Sequence, residues 1–559
     1  MGKVARTCKE FHSIMTPRLH RRVAYKVEDD AQLPQFIRLI QRYLSVTQNR
    51  KLRSQCRCEG QRDGVPYGSD LGANPPCAGY VREMIIGHIF TGRKGKYMVY
   101  RYLEEALKSM HGLEIVGLWG ITRYVMPSGP SSSRAKADWF CRTPSAMAKD
   151  LAGLPNLKAL SLTAQEVRVG DNITALASVK NLQHFRIRAW NPVREFEEAT
   201  RAILLNSRLT LRSLVILNPG HETAGYHFGF LDDWQREFGS GSQTPYFPAL
   251  QSLHLSGLKG SDEGLKRAFE NAFDFMSLRS LTLDRIYNGR SALYRHLADL
   301  AARTPKEDIK LRSFQMDHHS DATFDEQKDD METLCRFLGS FDTLTNLHLV
   351  EYNKYPAAGH DKGDLPYPLH QAILKHRDLT SLVLHSRAPY VMMLMEAFIS
   401  PKVIATIMDS LPRLEEFEFA ARSLEMAQVG EALARAKNLK TLSVTQIRGL
   451  TVPEPEALVT KIVTGVLDSR GGGSAGDEPF RWYNHSRLRR IITDRKRTFD
   501  IASEFWEVKD RRVKKPFSIR GLRNTEHEVL CRDVTALLAK DSPFVPDCDW
   551  ADDVARDMI

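Results

Sequence analysis

Four short constellations in this sequence carry residue types that could do chemistry. Gly472, Ser474 and Gly476 fit G-x-S-x-G, the turn that lifts a serine nucleophile between a strand and a helix. Here the match sits inside RGGGSAGDEP, which has neither a strand before it nor a helix after it, and reads as a flexible linker. His221 and Glu222 are followed by His227, which misses the spacing that puts two zinc-ligating imidazoles on one helical turn. His318 and His319 are adjacent and would point to different faces. Cys56, Cys58 and Cys77 lie near one another, but a Cys-x-Cys pair with one distant partner is a poor zinc pattern and reads as free thiols in a polar loop. No phosphate-cradling loop or dinucleotide fingerprint occurs. The expectation is a chain with no catalytic residues, no metal and no cofactor, and so no enzyme.

The net charge of +11 is unevenly placed. Residues 1–62 carry 14 basic against 5 acidic side chains, and so do residues 481–523. The tail from Asp541 to Ile559 has 6 acidic side chains against 1 basic. The middle is nearly neutral. In residues 481–523, RLRRIITDRKR and KDRRVKK interleave with Trp482, Tyr483, Phe499, Phe505 and Trp506, a composition able to bind nucleic acid. The alternative there is a solvated basic helix paired with the acidic tail, and the interspersed Asp and Glu favour it. The 8 cysteines are spread too thinly for a disulfide scaffold, which points to a reducing compartment, cytoplasmic or nuclear. No apolar run reaches the ~18 residues of a membrane span. Val391–Ile399 is short and contains Glu396, and Lys3, Arg6, Lys9 and Glu10 interrupt any leader, so neither membrane insertion nor secretion is expected.

What would position any site is a repeat. The pattern L-x-x-L-x-L appears at Leu157/Leu160/Leu162, Leu182/Phe185/Ile187, Leu211/Leu214/Ile216, Leu250/Leu253/Leu255 and Leu278/Leu281/Leu283. It continues at Leu311/Phe314/Met316, Leu344/Leu347/Leu349, Leu379/Leu382/Leu384, Leu414/Phe417/Phe419 and Leu439/Leu442/Val444. LEIVGL at Leu113 and VREMII at Val81 are weaker copies. The last two apolar positions, two apart, face one way on a short strand, and the first lies in the turn before it. Copies recur about every 30 residues, which leaves room for a helix. Leu293/Leu297/Leu300, Met331/Leu334/Leu338 and Met426/Val429/Leu433 have helical spacing. Pro155, Pro412, Asn156, Asn181 and Asn438 punctuate the turns before strands.

One such unit cannot bury its apolar face alone and must stack on its neighbours. The expected fold is α/β: a leucine-rich-repeat solenoid, horseshoe-like, spanning residues 79–450. The usual Asn after the third apolar position is missing; Gln165, Trp190 and Ile286 stand there, so longer helices and irregular curvature are expected. A capping helix is predicted over 451–469 from Leu458, Ile462, Val463 and Val466. A linker follows at 470–480. Residues 481–559 are predicted to be a basic, α-rich extension with an acidic tail, with Thr525 and Glu528 as a capping box ahead of Val529, Leu530, Val534, Leu537 and Leu538. Residues 1–50 are predicted as a small helical segment and 51–78 as a flexible loop, with a second flexible stretch at 127–137.

The N-terminal VARTCKEFHSIMTPRLHRRV places Val4, Cys8, Phe11 and Ile14 at helical spacing before Pro17. With Leu19 and Val23 it resembles the second half of an F-box, where a V-C-x-x-F helix precedes a P-x-L-x-x-x-V turn. Followed by a leucine-rich array, it is similar to the F-box leucine-rich-repeat proteins, particularly their divergent fungal members. That resemblance implies a substrate receptor of a cullin-RING ubiquitin ligase. Val4, Cys8, Phe11, Ile14, Pro17, Leu19 and Val23 would meet a Skp-type adaptor, and the repeats would hold the target. The first F-box half, with its Leu-Pro opening, would lie upstream of Met1. Either the coding sequence extends there, or the chain keeps a binding surface without ligase coupling.

Between the strand leucines, one residue per repeat points away from the core. These are Ser161, Arg186, Val215, His254, Thr282, Gln315, His348, Val383, Glu418 and Ser443. The set has no single sign of charge and suits a protein target better than a phosphate backbone. Arg186, His254 and His348 are expected to contribute most.

Overall fold

The computed structural model describes residues 16–27, 32–58, 77–89, 93–119, 148–165, 174–190, 194–217, 246–257, 266, 269–270, 272–286, 290–317, 324–350, 364–385, 398–447, 454–470, 486–493, 498–502, 517–520 and 528–533. The chain divides into two compact units. Unit 1 comprises Met1–Leu253, Asn271–Phe273 and Phe544–Ile559; unit 2 comprises His254–Glu270 and Asp274–Pro543. The fold class is that of an α/β leucine-rich-repeat solenoid, and each unit repeats strand and helix.

In unit 1 the strands β1 (Arg22–Val27), β2 (Glu83–Ile89), β3 (Ile115–Trp119), β4 (Ala159–Gln165), β5 (His184–Trp190) and β6 (Ser213–Leu217) pair in that order, all parallel. The boundary between the units falls within β7 (Ser252–Ser256). In unit 2, β8 (Ser280–Asp284), β9 (Ser313–Asp317), β10 (Asn346–Val350), β11 (Ser381–His385), β12 (Glu416–Arg422), β13 (Thr441–Ile447) and β14 (Arg490–Thr493) are again parallel. The helices between strands are α1 (Leu33–Gln41), α2 (Val46–Cys58), α3 (Arg93–Leu107) and α4 (Arg194–Ser207) in unit 1. Unit 2 has α5 (Arg290–Arg303), α6 (Phe324–Gly339), α7 (Tyr367–Leu374), α8 (Pro401–Ser410), α9 (Met426–Leu433) and α10 (Pro455–Arg470).

The register keeps the repeat leucines in straight rows. Leu281, Phe314, Leu347, Leu382, Phe417, Leu442 and Ile491 are directly paired across unit 2 and all buried. Leu160, Phe185 and Leu214 form the equivalent row in unit 1. Because strand side chains alternate, this apolar side is where helices pack. The Phe337 ring of α6 lies 5.4 Å from Phe314, and Phe36 of α1 lies 5.5 Å from Tyr25. In unit 2 the Phe337 ring also meets Tyr294, Phe275 and Phe341.

A second regularity was invisible in the sequence. Along most of the parallel ladder, the carbonyl just before a strand accepts two successive amides from the next repeat. Lys158 takes Gln183 and His184 at 2.7 and 3.1 Å; Arg279 takes Arg312 and Ser313 at 2.8 and 3.0 Å; Lys440 takes Arg489 and Arg490 at 2.8 and 3.1 Å. The same bond pair joins Arg21 to Arg82 and Glu83. It depends on backbone alone, so any side chain can stand there.

The turns before the strands are tied by polar side chains, as the Asn and Pro residues predict. Asn156 donates to the His111 carbonyl at 3.1 Å and Asn438 to that of Pro412 at 2.7 Å. Asn181 holds φ 60, a left-handed conformation that Asn tolerates. The buried amide of the first repeat leucine also needs an acceptor. Leu182 donates to Ser207 Oγ at 3.1 Å, and Leu344 donates to His376 Nδ1 at 3.4 Å. The other His376 nitrogen, Nε2, lies 3.1 Å from the Leu338 carbonyl. Burial pushes the His376 imidazole down to about 4. The unfolded chain, with histidine near 6.5, therefore binds this proton more readily than the folded one. Stability is full above pH 6.5 and falls as the pH drops toward 4, by roughly 3 kcal/mol over the window. Urea unfolding between pH 7 and 4 should show this loss, and His376→Gln should flatten the part of the slope due to this ring. An equal slope in both proteins would exclude His376 as its source.

At α9 and α10 the helices cross with backbones in contact. A Cβ on Gly430 would collide with the Ile462 carbonyl oxygen, and one on Gly465 would collide with that of Ala427. Glycine is required at both positions for this close approach. Leu458, Ile462, Val463 and Val466 of α10 are all buried. The predicted helix thus exists, held against α9 at these two glycines, but it does not cap the array: β14 follows it and extends the parallel ladder.

Several expectations are corrected. The parallel ladder starts before residue 79, since Arg22–Val27 within the supposed helical segment is a strand. The supposed loop at 51–78 begins as helix, because α2 runs through Cys58. The C-terminal extension is not α-rich in its described part. After β14, β15 (Thr498–Ala502), β16 (Phe517–Arg520) and β17 (Glu528–Asp533) follow, and β14–β15, β15–β17 and β17–β16 are all antiparallel. The supposed capping residue Glu528 instead opens β17 and pairs with Arg520. Helix spacing was read from Val529 and Leu530, but Phe517, Ile519 and Cys531 carry the alternation that wins. Thr525, Val534, Leu537, Leu538 and the linker after Arg470 lie outside the described residues.

Candidate protein-binding surface

The face of unit 2 opposite the helices carries the middle residue of each strand. Thr282, Gln315, His348, Val383, Glu418 and Ser443 are directly paired in sequence, one strand to the next. At about 4.8 Å per strand this row is about 24 Å long. All six side chains are half-exposed. Ser313 and Ser381 flank the row half-exposed, and Asn346 and Glu416 flank it exposed.

Its most structured part is centred on Glu418. His385 Nε2 bonds Glu418 Oε1, and Ser443 bonds the same carboxylate. The His348 and His385 rings are 6.4 Å apart. The hydrogen bond from His385 holds the Glu418 carboxyl below its usual range, despite partial burial. Serine, histidine and carboxylate are thus together, but in an order unsuited to nucleophilic catalysis. The carboxylate lies between the other two, so the hydroxyl faces an anion rather than an imidazole base. The cluster can instead present a fixed acceptor and an imidazole ring to a partner. At the far end of β12, the Arg422 guanidinium lies 3.4 Å from the centre of the Phe398 ring.

His385 was missed in the sequence. It follows the third repeat leucine by one, and strict alternation puts that position on the same face as His348. Among the predicted contact residues, Thr282, Gln315, His348, Glu418 and Ser443 fall on one row of unit 2, and His254 is half-buried on β7. Arg186 and Ser161 belong to unit 1, where they are paired with each other. Ser161 is a correction: at 1 % exposure it is no open contact residue. Of the F-box-like positions, Val4, Cys8, Phe11 and Ile14 lie outside the described residues. Leu19 is exposed, whereas Val23 is buried in β1 opposite Met84 and cannot touch an adaptor.

The basic stretch is also partly accounted for. Leu488 and Ile491 are buried and Thr493 takes the third apolar place, so LRRIIT is a further, disguised repeat. Arg490 is committed to Asp500 at 2.9 Å. Gly472–Gly476, His221, His227, His318 and His319 lie outside the described residues. None of the described helices is long and apolar enough to cross a membrane.

The chain matches no protein-family model and no curated protein. Among solved structures, one similar chain is an internalin from Listeria monocytogenes. It is 14% identical, the match covers 64% of this chain and 81% of that one, and the TM-score is 0.28.

Proposed function

We propose that the row from Thr282 to Ser443 binds another protein, and that the chain is a recognition subunit of a cullin-RING ubiquitin ligase rather than an enzyme. The observation that carries the binding reading is the unbroken, half-exposed row of mixed polar residues over six strands. Small side chains at its ends and the hydrogen-bonded cluster at Glu418 resemble the rim and anchor of a protein interface. The ligase reading is supported by the F-box-like residues from Val4 to Leu19 ahead of the repeats. The burial of Val23 favours a second reading, an interaction scaffold without ligase coupling.

The test is affinity capture from cells with the tagged full chain, quantified by mass spectrometry. Paired His348→Ala and Glu418→Ala substitutions should reduce the captured partner at least tenfold. Arg336→Ala on the exposed side of α6 should leave capture unchanged. Equal capture by both variants would exclude the row as the interface. A Skp-type adaptor and a cullin among the captured proteins support the ligase reading. Their absence, with the partner retained, leaves the uncoupled scaffold.

A further inference from the structure

The two units differ on the side of the sheet that faces away from the helices. In unit 2 the outward residues of the strands are half-exposed, as described. In unit 1 the outward positions on β2, β3 and β4 and at the start of β5 are closed off: Ile85, Ile115, Ser161 and His184 are each 1 % exposed, and Ala159 is 0 % exposed, while Arg186, Arg188 and Val215 beyond them stay half-exposed. The register puts Ile85 and Ser161 either side of Gly117 in one outward row, with Ile115, Ala159 and His184 in the next. Side chains that point away from the helices can be shielded like this only by a layer on their own side. Ser161, His184, Arg186 and Arg188 are all engaged by partners. Isoleucines outward on a strand, beside arginines, describe a surface for something apolar and acidic.

The chain contains such a segment. Phe544–Ile559 groups with unit 1, although more than 250 residues of unit 2 separate it in sequence from the rest of that unit. It reads FVPDCDWADDVARDMI, with five aspartates against one arginine. Trp550, Val554 and Met558 recur every fourth residue, and Asp549, Asp553 and Asp557 do so one position earlier. At helical spacing these make an apolar stripe beside an acidic one. Residues 120–147, by contrast, carry a basic excess that would repel Arg186 and Arg188.

We infer that the outward face of unit 1 is a docking surface for an acidic, tryptophan-bearing segment, and that in this chain residues 544–559 occupy it. An external peptide of the same chemistry reaches unit 1 only by displacing the tail. The inference concerns a different face from the row in unit 2 and does not depend on it.

The test places a reporter thiol on the covered face with Ser161→Cys in the full chain, and follows alkylation at that residue by mass spectrometry. With the native tail the thiol should be protected. Combining Trp550→Ala with Asp549→Lys, Asp553→Lys and Asp557→Lys should accelerate alkylation at least tenfold. A synthetic peptide of residues 544–559, added in excess to that variant, should restore protection, and a scrambled peptide should not. An unchanged rate in the tail variant means another segment covers the face and overturns the inference. So does faster alkylation that the native peptide fails to reverse, since the substitutions would then have loosened unit 1 itself. A fluorescent copy of the peptide supplies a second measurement. It should bind the tail variant and be excluded from the unsubstituted chain; equal binding to both is the contrary result.

Discussion

Replacing Asp330 with alanine lowers the stability of unit 2 by about 3–5 kcal/mol, the cost of leaving a buried guanidinium without its anion. Arg290 and Asp330 are 3 % and 5 % exposed, and they join α5 to α6. Arg290 Nε and its terminal nitrogen both reach one Asp330 oxygen, at 2.9 and 2.8 Å. The Ser291 hydroxyl donates to the other. Burial nevertheless pushes the Asp330 carboxyl above its ordinary value, against the pull of Arg290 and Ser291. The pair itself is thus costly to bury, and the damage comes from breaking it rather than from losing a strong attraction. Two measurements separate those effects. Asp330→Ala alone should lower the midpoint of thermal unfolding by roughly 10 °C. The double replacement Arg290→Met with Asp330→Leu should recover most of that loss. If the single substitution costs less than about 1 kcal/mol, water reaches the guanidinium and the pair is not sealed as described.

Phe337→Ala should cost about as much, roughly 3–5 kcal/mol, for a different reason. The ring is 0 % exposed and touches aromatic neighbours from four separate places in the chain. Tyr294 stacks parallel to it at 6.4 Å; Phe314 and Phe275 meet it edge-on at 5.4 and 6.2 Å; Phe341 lies at 5.1 Å. Removing the ring leaves a cavity between helices and strands that are pinned by the ladder and cannot close over it. Phe337→Leu should recover more than half of the loss by filling most of the space. Next to it in sequence, Arg336 is exposed and pairs with Asp299 at 2.6 Å across helices. Arg336→Ala should change stability by less than about 1 kcal/mol. Denaturant midpoints for the three variants should rank Phe337→Ala lowest, and similar values for Phe337→Ala and Arg336→Ala would contradict the cluster as a keystone of unit 2.

The repeat leucines made the fold readable. Leu281, Leu283, Leu347, Leu349, Leu382 and Leu384 fixed which strand face is buried, and therefore which residues point outward. The row Thr282, Gln315, His348, Val383, Glu418 and Ser443 followed from that parity alone. What failed was the recognition of strands whose apolar places are occupied by other residues. HRRVAY before α1 and LRRIIT after α10 are both ladder strands, yet the first resembles the turn of an F-box half, and the arginines and Thr493 of the second give it the look of a basic helix or a nucleic-acid patch. The backbone pattern that holds them, two amides on one carbonyl, leaves no trace in side-chain chemistry. Ser161 was misjudged because parity says which way a residue points, and not what else in the chain lies on top of it. The same limit applies to His385 and Glu418, whose contact is set by strand register across some thirty residues of intervening chain.

The change of strand direction at β14 also limits how the chain can assemble. A parallel ladder left bare would offer its last strand as a template for the first strand of another molecule, and stacked copies could grow without end. Among the described strands, β15, β17 and β16 replace that template with a run of opposite polarity, and the outermost, β16, is only four residues long with Ser518 and Arg520 exposed. A second molecule arriving at this border would meet charged, short and wrongly directed backbone. Fibre growth from this side is thereby discouraged by geometry, with no dedicated gatekeeper protein required.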